Sequence, residues 1–572
     1  MKNLLIAVLL FPSHTIAVNE GNILKDLISQ FEELATEFAQ RVEELYQDRR
    51  CNATDLEACS EANYNGCIST LPGAACYATT ELKIDLCGNC SSVFDFTASS
   101  VLLPERTVSN SDGTTSLSKE VSASKIEHQA SDIDALSASH SLFPPQVVES
   151  ICFSRGLDSY FREKREYWLK NSPSDESLKI DPPTMFFGSQ TGVFRIFPGR
   201  PSNNCTPYGE YSEYDPRSRP WYVAASSGTK NVMLVVDTSK YMTGNPLKLL
   251  KVATNRIINT LAYGDRVAIV AFNDTVYTIA DPSSDQGYVM YDATASNKNM
   301  ILQEVEQLSA GGESNPIDAF NATFEIVQNS MKEGFSGTSC NTAILFFTGG
   351  VIGAYVGLNE SAVKQFVSPR LAELSKIGTK RVFLFTYSLK SDTGTQKLLK
   401  ELACATEYGV WSKIDDEDEI VESLNSYYQL FAFGLGKKKV KAWVEPYSYS
   451  TGGVLGTTVS IPVYDDFHEP AIFLGVIGID FPLRAIDKAS DNKTSIEILA
   501  DAVGAGTCPE VNLTVCLLES YRRRYGGASC NTSCTENDIV DVEATGCSSD
   551  EKFPTHLWAN QNSSGKSYVV SG

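Results

Sequence analysis

Asn231-Val-Met-Leu-Val-Val-Asp237-Thr-Ser239-Lys-Tyr241 is the stretch on which the fold turns. Val232 to Val236 are all apolar, so the segment lacks the alternation of a strand with one wet face. A short apolar run bounded by polar residues reads as a strand buried on both faces. Outward from it, Pro246 to Leu261 has helical spacing, Arg266 to Phe272 is a second strand, and helices follow near 298–309 and 316–332. Ala343 to Phe347 is a further buried strand. It leads to a helix over 361–376, a strand from Arg381 to Tyr387, and helices near 394–403 and 417–432. Strands alternating with helices make a doubly wound parallel sheet covered on both faces. Ligands of such sheets sit beyond the carboxyl ends of the strands, at a switch point in strand order. Asp237 closes the first strand and is expected there.

Both flanks have another texture. Upstream, Thr184-Met-Phe-Phe-Gly and Gly192-Val-Phe-Arg-Ile-Phe read as strands joined by a turn. Downstream, after Gly434-Leu-Gly436 and the basic patch Lys437 to Lys441, strand texture resumes at Ala442 to Tyr447, Gly456 to Val463 and Phe473 to Asp480. The same kind of sheet on both sides of an α/β block implies one domain inserted into another. Residues 20–47 carry apolar groups at helical spacing, from Ile23 through Phe31 and Phe38 to Leu45, and predict one long amphipathic helix. Six cysteines follow between Cys51 and Cys90, and Ser109 to Ser141 reads as a Ser-rich linker or mobile loop. The expected order is a signal peptide (1–17), the helix with its Cys-rich segment (18–100), and the linker (101–145). A first sensor segment (146–229), the α/β block (230–435), a second sensor segment (436–485) and a Cys-rich region (486–572) complete it.

The 572 residues exceed one domain, and 42% apolar with 21% charged residues is a globular composition. A net charge of -22 argues against nucleic acid and anionic membrane surfaces as partners. Lys2, the apolar run Leu4 to Phe11 and Thr15-Ile-Ala17 read as a secretory signal peptide. The 15 cysteines then imply disulfides, with one thiol free or paired to another chain, and ten Asn-x-Ser/Thr sequons, Asn273 and Asn321 among them, fit a glycosylated extracellular surface. Ile344 to Leu358, an uncharged apolar stretch interrupted by Thr348, Gly349 and Gly350, is too short to span a bilayer. Secretion is the expectation, with membrane association through a partner or through an anchor in a longer natural product as the alternative. There is no H-E-x-x-H, G-x-S-x-G or Walker loop, so no catalytic residues are assigned and a non-enzyme is expected.

A second stretch carries recognition chemistry. Tyr214-Asp-Pro-Arg-Ser-Arg219-Pro-Trp221-Tyr222 spaces its residues as Y-x4-R-x-W-Y. Arg219 offers a planar fork of donors matched to a carboxylate, and the aromatic rings can enclose the remainder of a small ligand. Asp480 would take an α-ammonium by a charge-assisted hydrogen bond. Opposite charges at a fixed separation select a zwitterion, because another ligand leaves a buried charge unpaired. The alternative is an Arg219–Asp480 ion pair with no ligand.

These residues also carry family resemblances. Residues 231–433 resemble a von Willebrand factor type A domain, with Asp237-Thr-Ser239-Lys-Tyr241 where that family has D-x-S-x-S. The flanks resemble a Cache domain, a mixed α/β, PAS-like sensor, through F-G-S-Q-T-G-V-F-R-I-F-P-G, R-P-W-Y, W-V-E-P-Y and G-V-I-G-I-D. A type A domain inserted in a Cache domain is similar to the alpha-2-delta auxiliary subunits of voltage-gated calcium channels, over roughly 180–485. The resemblance implies a non-catalytic extracellular protein whose Cache site binds a free amino acid through Tyr214, Arg219, Trp221, Tyr222, Tyr447 and Asp480. It also implies a membrane channel or other extracellular protein as partner. A secreted adhesion or matrix protein working through its type A face is the alternative. For Mg²⁺ or Ca²⁺ the family's site maps onto Asp237, Ser239 and Ser314. Tyr241 and Gly349 stand where the family has a Ser and an Asp, so the implied site is degenerate and a metal-free scaffold is favoured.

Overall fold

The computed structural model describes residues 23–50, 99–102, 107–109, 115–117, 150, 153–154, 156–171, 182–199, 215–332 (without 263 and 286), 340–350, 360–377, 381–389, 393–417, 419–435, 438–444, 447–448, 455–465, 471–482, 511, 513–526, 530 and 534. No described helix is long and apolar enough to cross a membrane. The chain forms two compact units. One gathers Met1–Arg217, Tyr447–Lys493 and Glu543–Gly572, and the other Ser218–Pro446 and Thr494–Val542.

The second unit is built on a sheet ordered Gly409–Lys413, Val382–Ser388, Asn341–Thr348, Lys230–Asp237, Arg266–Phe272, Val276–Ile279. The first five strands run parallel and the last antiparallel. Every residue of Lys230–Asp237 and of Asn341–Thr348 is buried, as two helical layers require. Met233, Val235, Ile344, Phe346 and Leu384 face one layer, packed against Phe320 and Phe324 of helix Pro316–Lys332 and Val363 and Val367 of helix Glu360–Ile377. Phe383 and Phe385 point the other way, to Phe431 (4.9 Å between ring centres) and Tyr427 (6.1 Å) of helix Glu419–Leu435.

One face of the outer strand Gly409–Lys413 is met by helix Val515–Gly526 of the Cys-rich tail. Arg522 Nε donates to Gly409 O at 2.7 Å, and Tyr521 donates to Ser426 O at 2.5 Å. Glu519 accepts from Cys530 N at 2.7 Å and pairs with Arg522. Two disulfides, Cys404–Cys530 and Cys516–Cys534, bind this tail to the end of helix Thr393–Cys404 and to itself.

The first unit centres on an antiparallel sheet, in which Ser100–Leu102, Phe194–Phe197, Met185–Ser189, Ile472–Pro482 and Leu455–Asp465 are neighbours in that order. Helix Ile23–Arg50 lies on the last two strands. Phe31 meets Phe481 edge-on at 4.4 Å, and Phe38 meets Tyr160 and Phe161 of helix Leu157–Asn171. Glu43 of helix Ile23–Arg50 is buried and accepts from Tyr464 N, where a bulge shifts the register after Val463. Opposite the bulge only Gly475 fits, since a Cβ there would stand 2.2 Å from Gly188 O.

Three sequence expectations change. Within the stretch read as a linker, Thr115–Leu117 pairs antiparallel with Thr107–Ser109, because short Thr, Ser and Val runs suit strands without a large apolar core. Ala442 to Tyr447, read as one strand, yields two short ones among the described residues, Ala442–Trp443 and Tyr447–Ser448. The strand Gly409–Lys413 and the helices Pro220–Ser227, Leu157–Asn171 and Val515–Gly526 were not anticipated. The Cys51–Cys90 segment and the signal peptide lie outside the described residues.

Candidate functional site

Strand order reverses between Lys230–Asp237 and Asn341–Thr348, and the carboxyl ends of these two strands meet at the switch point. Asp237 and Thr348 stand there, both completely buried. The Thr348 hydroxyl donates to Asp237 Oδ2 at 2.6 Å and accepts from Gly350 N at 3.1 Å. Ser239 N donates to Asp237 Oδ1 at 2.8 Å. Ser239 is the turn residue after the strand, and the loop 311–315 closes over it, with Lys240 N donating to Gly312 O and Gly311 N to Thr238 O. The loop brings Ser314 beside the site. The hydroxyls of Ser239 and Ser314 are buried; that of Ser239 faces the Asp237 carboxyl, and neither makes a hydrogen bond of good geometry among the described residues.

The three sequence-assigned residues therefore converge at the carboxyl end of the sheet. Burial pushes the Asp237 carboxyl above the usual carboxylate range, and the hydrogen bonds from Thr348 and Ser239 N oppose that rise. The set offers one carboxylate and two neutral hydroxyls. One Asp237 oxygen already holds Thr348 and the other an amide. The Tyr241 ring lies over Gly350, where a Cβ would come within 2.6 Å of Tyr241 Cβ. A divalent cation asks for more negative charge than this. The residues present do not fit a tightly held Mg²⁺ or Ca²⁺, and no chemistry is routed through one.

A pH test follows. A carboxyl whose folded value is raised binds its proton more tightly in the native state, so stability is lost as pH climbs from the unfolded value of about 3.9 through the folded one. Urea unfolding from about pH 4 to neutrality should show wild type losing ground to Asp237→Asn. A native cation would hold the carboxylate ionised. Addition of Mg²⁺ that abolishes the decline would count against a metal-free site.

The ligand-motif residues fall in both units. Arg219 caps the start of helix Pro220–Ser227, whose Pro220 is at home in a first turn. Trp221 and Tyr222 are buried, with rings 5.6 Å apart, and Tyr222 meets Tyr428 edge-on at 6.3 Å. In the first unit Asp480 is buried opposite Thr458, whose hydroxyl donates to Asp480 Oδ1 at 2.8 Å. Tyr447 begins a short strand paired with Leu455–Asp465. Tyr214 lies outside the described residues.

One feature of the second unit escaped the sequence reading. Lys230 Nζ lies 2.8 Å from Asp265 Oδ2, and both side chains are buried. Asp265 also accepts from Lys230 N at 3.0 Å and from Ala262 N at 2.9 Å. This ion pair stands at the end of the sheet opposite Asp237. Its only sequence trace is a charged residue at each strand entry.

Known proteins bear on these units. A family model of the von Willebrand factor type A domain matches residues 232–351. Human voltage-dependent calcium channel subunit alpha-2/delta-3 is 28% identical over 367 residues, covering 60% of this chain and 30% of that protein. Human subunit alpha-2/delta-4 is 26% identical over 359 residues, covering 60% and 29%. Among solved structures, a von Willebrand factor type A protein from Catenulispora acidiphila matches 44% of this chain and 58% of its own at 14% identity, with a TM-score of 0.28. That likeness is too distant to argue from. The chain spans 30% of the length of the first curated relatives it matches. The chain is similar to alpha-2/delta subunits over 60% of its length, and it holds a type A domain and disulfide bonds.

Proposed function

We propose that the protein is a non-catalytic, extracellular binding protein that works beside a membrane channel, as an alpha-2/delta-type auxiliary subunit does, and senses a free amino acid. The similarity to alpha-2/delta subunits over 60% of the chain carries the reading. The flanking unit is read as a Cache sensor interrupted by the type A domain. Its discontinuous make-up, from segments on both sides of 218–446, supports that reading. The ligand set is Tyr214, Arg219, Trp221, Tyr222, Tyr447 and Asp480, with Arg219 for the carboxylate and Asp480 for the ammonium. The type A domain serves as scaffold and contact surface, without a cation at Asp237, Ser239 and Ser314.

Thermal unfolding with each of the twenty amino acids tests the ligand. A bound amino acid at 100-fold excess over its Kd should add about 2.7 kcal/mol of stability. Arg219→Ala should erase the shift. An undiminished shift in that variant, or none with any amino acid, would remove the sensing function and leave adhesion through the type A face as the better account.

A further inference from the structure

We infer that Asn273 is an occupied N-glycan site and that its sugar stands on the rim of the Asp237 face, where it limits which partners reach that face. The inference rests on the extracellular reading above. Of the ten sequons, only those of Asn273 and Asn321 lie among the described residues, and the fold treats them in opposite ways.

Asn273-Asp274-Thr275 is the turn between strands Arg266–Phe272 and Val276–Ile279. Asn273 Oδ1 accepts from Thr275 N at 2.9 Å and from the Thr275 hydroxyl at 3.0 Å. Asp274 and Thr275 are exposed. Asn273 Nδ2 makes no hydrogen bond among the described residues. The sequon is thus held as a surface turn with its hydroxyl on the amide carbonyl and its amide nitrogen available. Asn321 sits inside helix Pro316–Lys332. Its Nδ2 donates to Glu325 at 3.0 Å, and its sequon hydroxyl, Thr323, is completely buried and donates to Ala319 O at 2.8 Å. No local turn is available to it without unwinding the helix.

The modification balances simply. Asn273 Nδ2 bonds to the anomeric carbon of a lipid-linked oligosaccharide pyrophosphate. The carbon–oxygen bond to pyrophosphate breaks, the lipid pyrophosphate leaves with the electron pair, and the amide gives up one proton. The position follows from the sheet. Phe272 is the register partner of Asp237, and Asn273 is the next residue. Asn273 O accepts from Asn315 N at 2.9 Å, next to Ser314, and a Cβ on Gly312 would lie 3.3 Å from Asn273 Cγ. Lys240 N holds the same Gly312 carbonyl, and the Lys240 side chain is half exposed.

The full chain, secreted from a mammalian host, is digested after enzymatic glycan release in heavy-oxygen water, which tags each formerly occupied Asn. The Asn273 peptide should carry the tag and the Asn321 peptide should not, and Asn273→Gln should remove one glycan's mass. A bare Asn273 among other occupied sequons overturns this inference alone, as does equal tagging of Asn321. Bare sequons throughout overturn it together with the extracellular reading. For the rim position, a polymer-sized amine reagent should modify Lys240 several-fold faster in Asn273→Gln than in wild type, while a small reagent reacts equally with both. Equal rates for the polymer overturn the shielding.

Discussion

Asp265→Ala is expected to lower the unfolding free energy of the type A unit by about 3–5 kcal/mol, read as a fall in the urea midpoint. The carboxylate neutralises a Lys230 ammonium buried with it and accepts two backbone amides, those of Lys230 and Ala262. Truncation leaves a positive charge and two donors in a site closed to solvent. Lys230→Met should cost less, because Asp265 keeps the hydrogen bonds from both backbone amides. The double variant Lys230→Met/Asp265→Ala should recover part of the loss, since an apolar replacement of a buried pair removes the desolvation penalty of both ions. Additive losses would mean that the pair is not coupled in solution. The location makes the effect large. Asp265 stands where strand Arg266–Phe272 begins, accepts from the loop after helix Asn245–Thr260, and holds the entry of the central strand Lys230–Asp237.

The parallel sheet was legible because its strands are apolar on both faces. Val232 to Val236 and Ala343 to Phe347 allow no other element of that length. The helices between them show the 3.6-residue period plainly, as Leu249, Leu250, Ala253 and Ile257 do. The strand Gly409–Lys413 escaped because it is five residues with a Trp and a Ser, too short and mixed for either period. Helix Leu157–Asn171 was hidden by its charged outer face. Its buried set Leu157, Tyr160, Phe161 and Trp168 is helical in spacing, but seven charged side chains among fifteen residues dilute the signal.

At the candidate site, motif spacing singled out Asp237, Ser239 and Ser314, which stand near one another because the switch point of a doubly wound sheet collects residues from loops far apart in sequence. It did not find the use made of Thr348. With Gly349 in place of an acid, the Thr348 hydroxyl turns to Asp237 and occupies an oxygen that a metal would need. The Lys230–Asp265 pair was invisible for a related reason. Periodicity reports which face a residue occupies and says nothing of its partner across 35 positions.

Opening the Cys404–Cys530 bridge should have the other large effect. The cross-link spans a sequence separation of 126, and loop closure of that length in the unfolded chain corresponds to about 5 kcal/mol in the chain-entropy description. Cys516–Cys534, with a separation of 18, corresponds to about 3 kcal/mol. Cys404→Ser/Cys530→Ser should therefore lower the urea-derived stability of the type A unit by more than Cys516→Ser/Cys534→Ser does. Helix Val515–Gly526 sets how the loss is distributed. Its Leu518 and Tyr521 are buried, and Arg522 and Glu519 bind Gly409 O and Cys530 N, so the helix keeps some attachment without the bridge. Its release would uncover strand Gly409–Lys413 before the rest of the sheet opens. Hydrogen exchange at 409–413 should then rise ahead of exchange at 230–237 in the Cys404 variant. If both strands exchange together, the tail is an integral part of the cooperative unit. If the short-loop variant proves the weaker of the two, native-state contacts outweigh chain entropy at this edge.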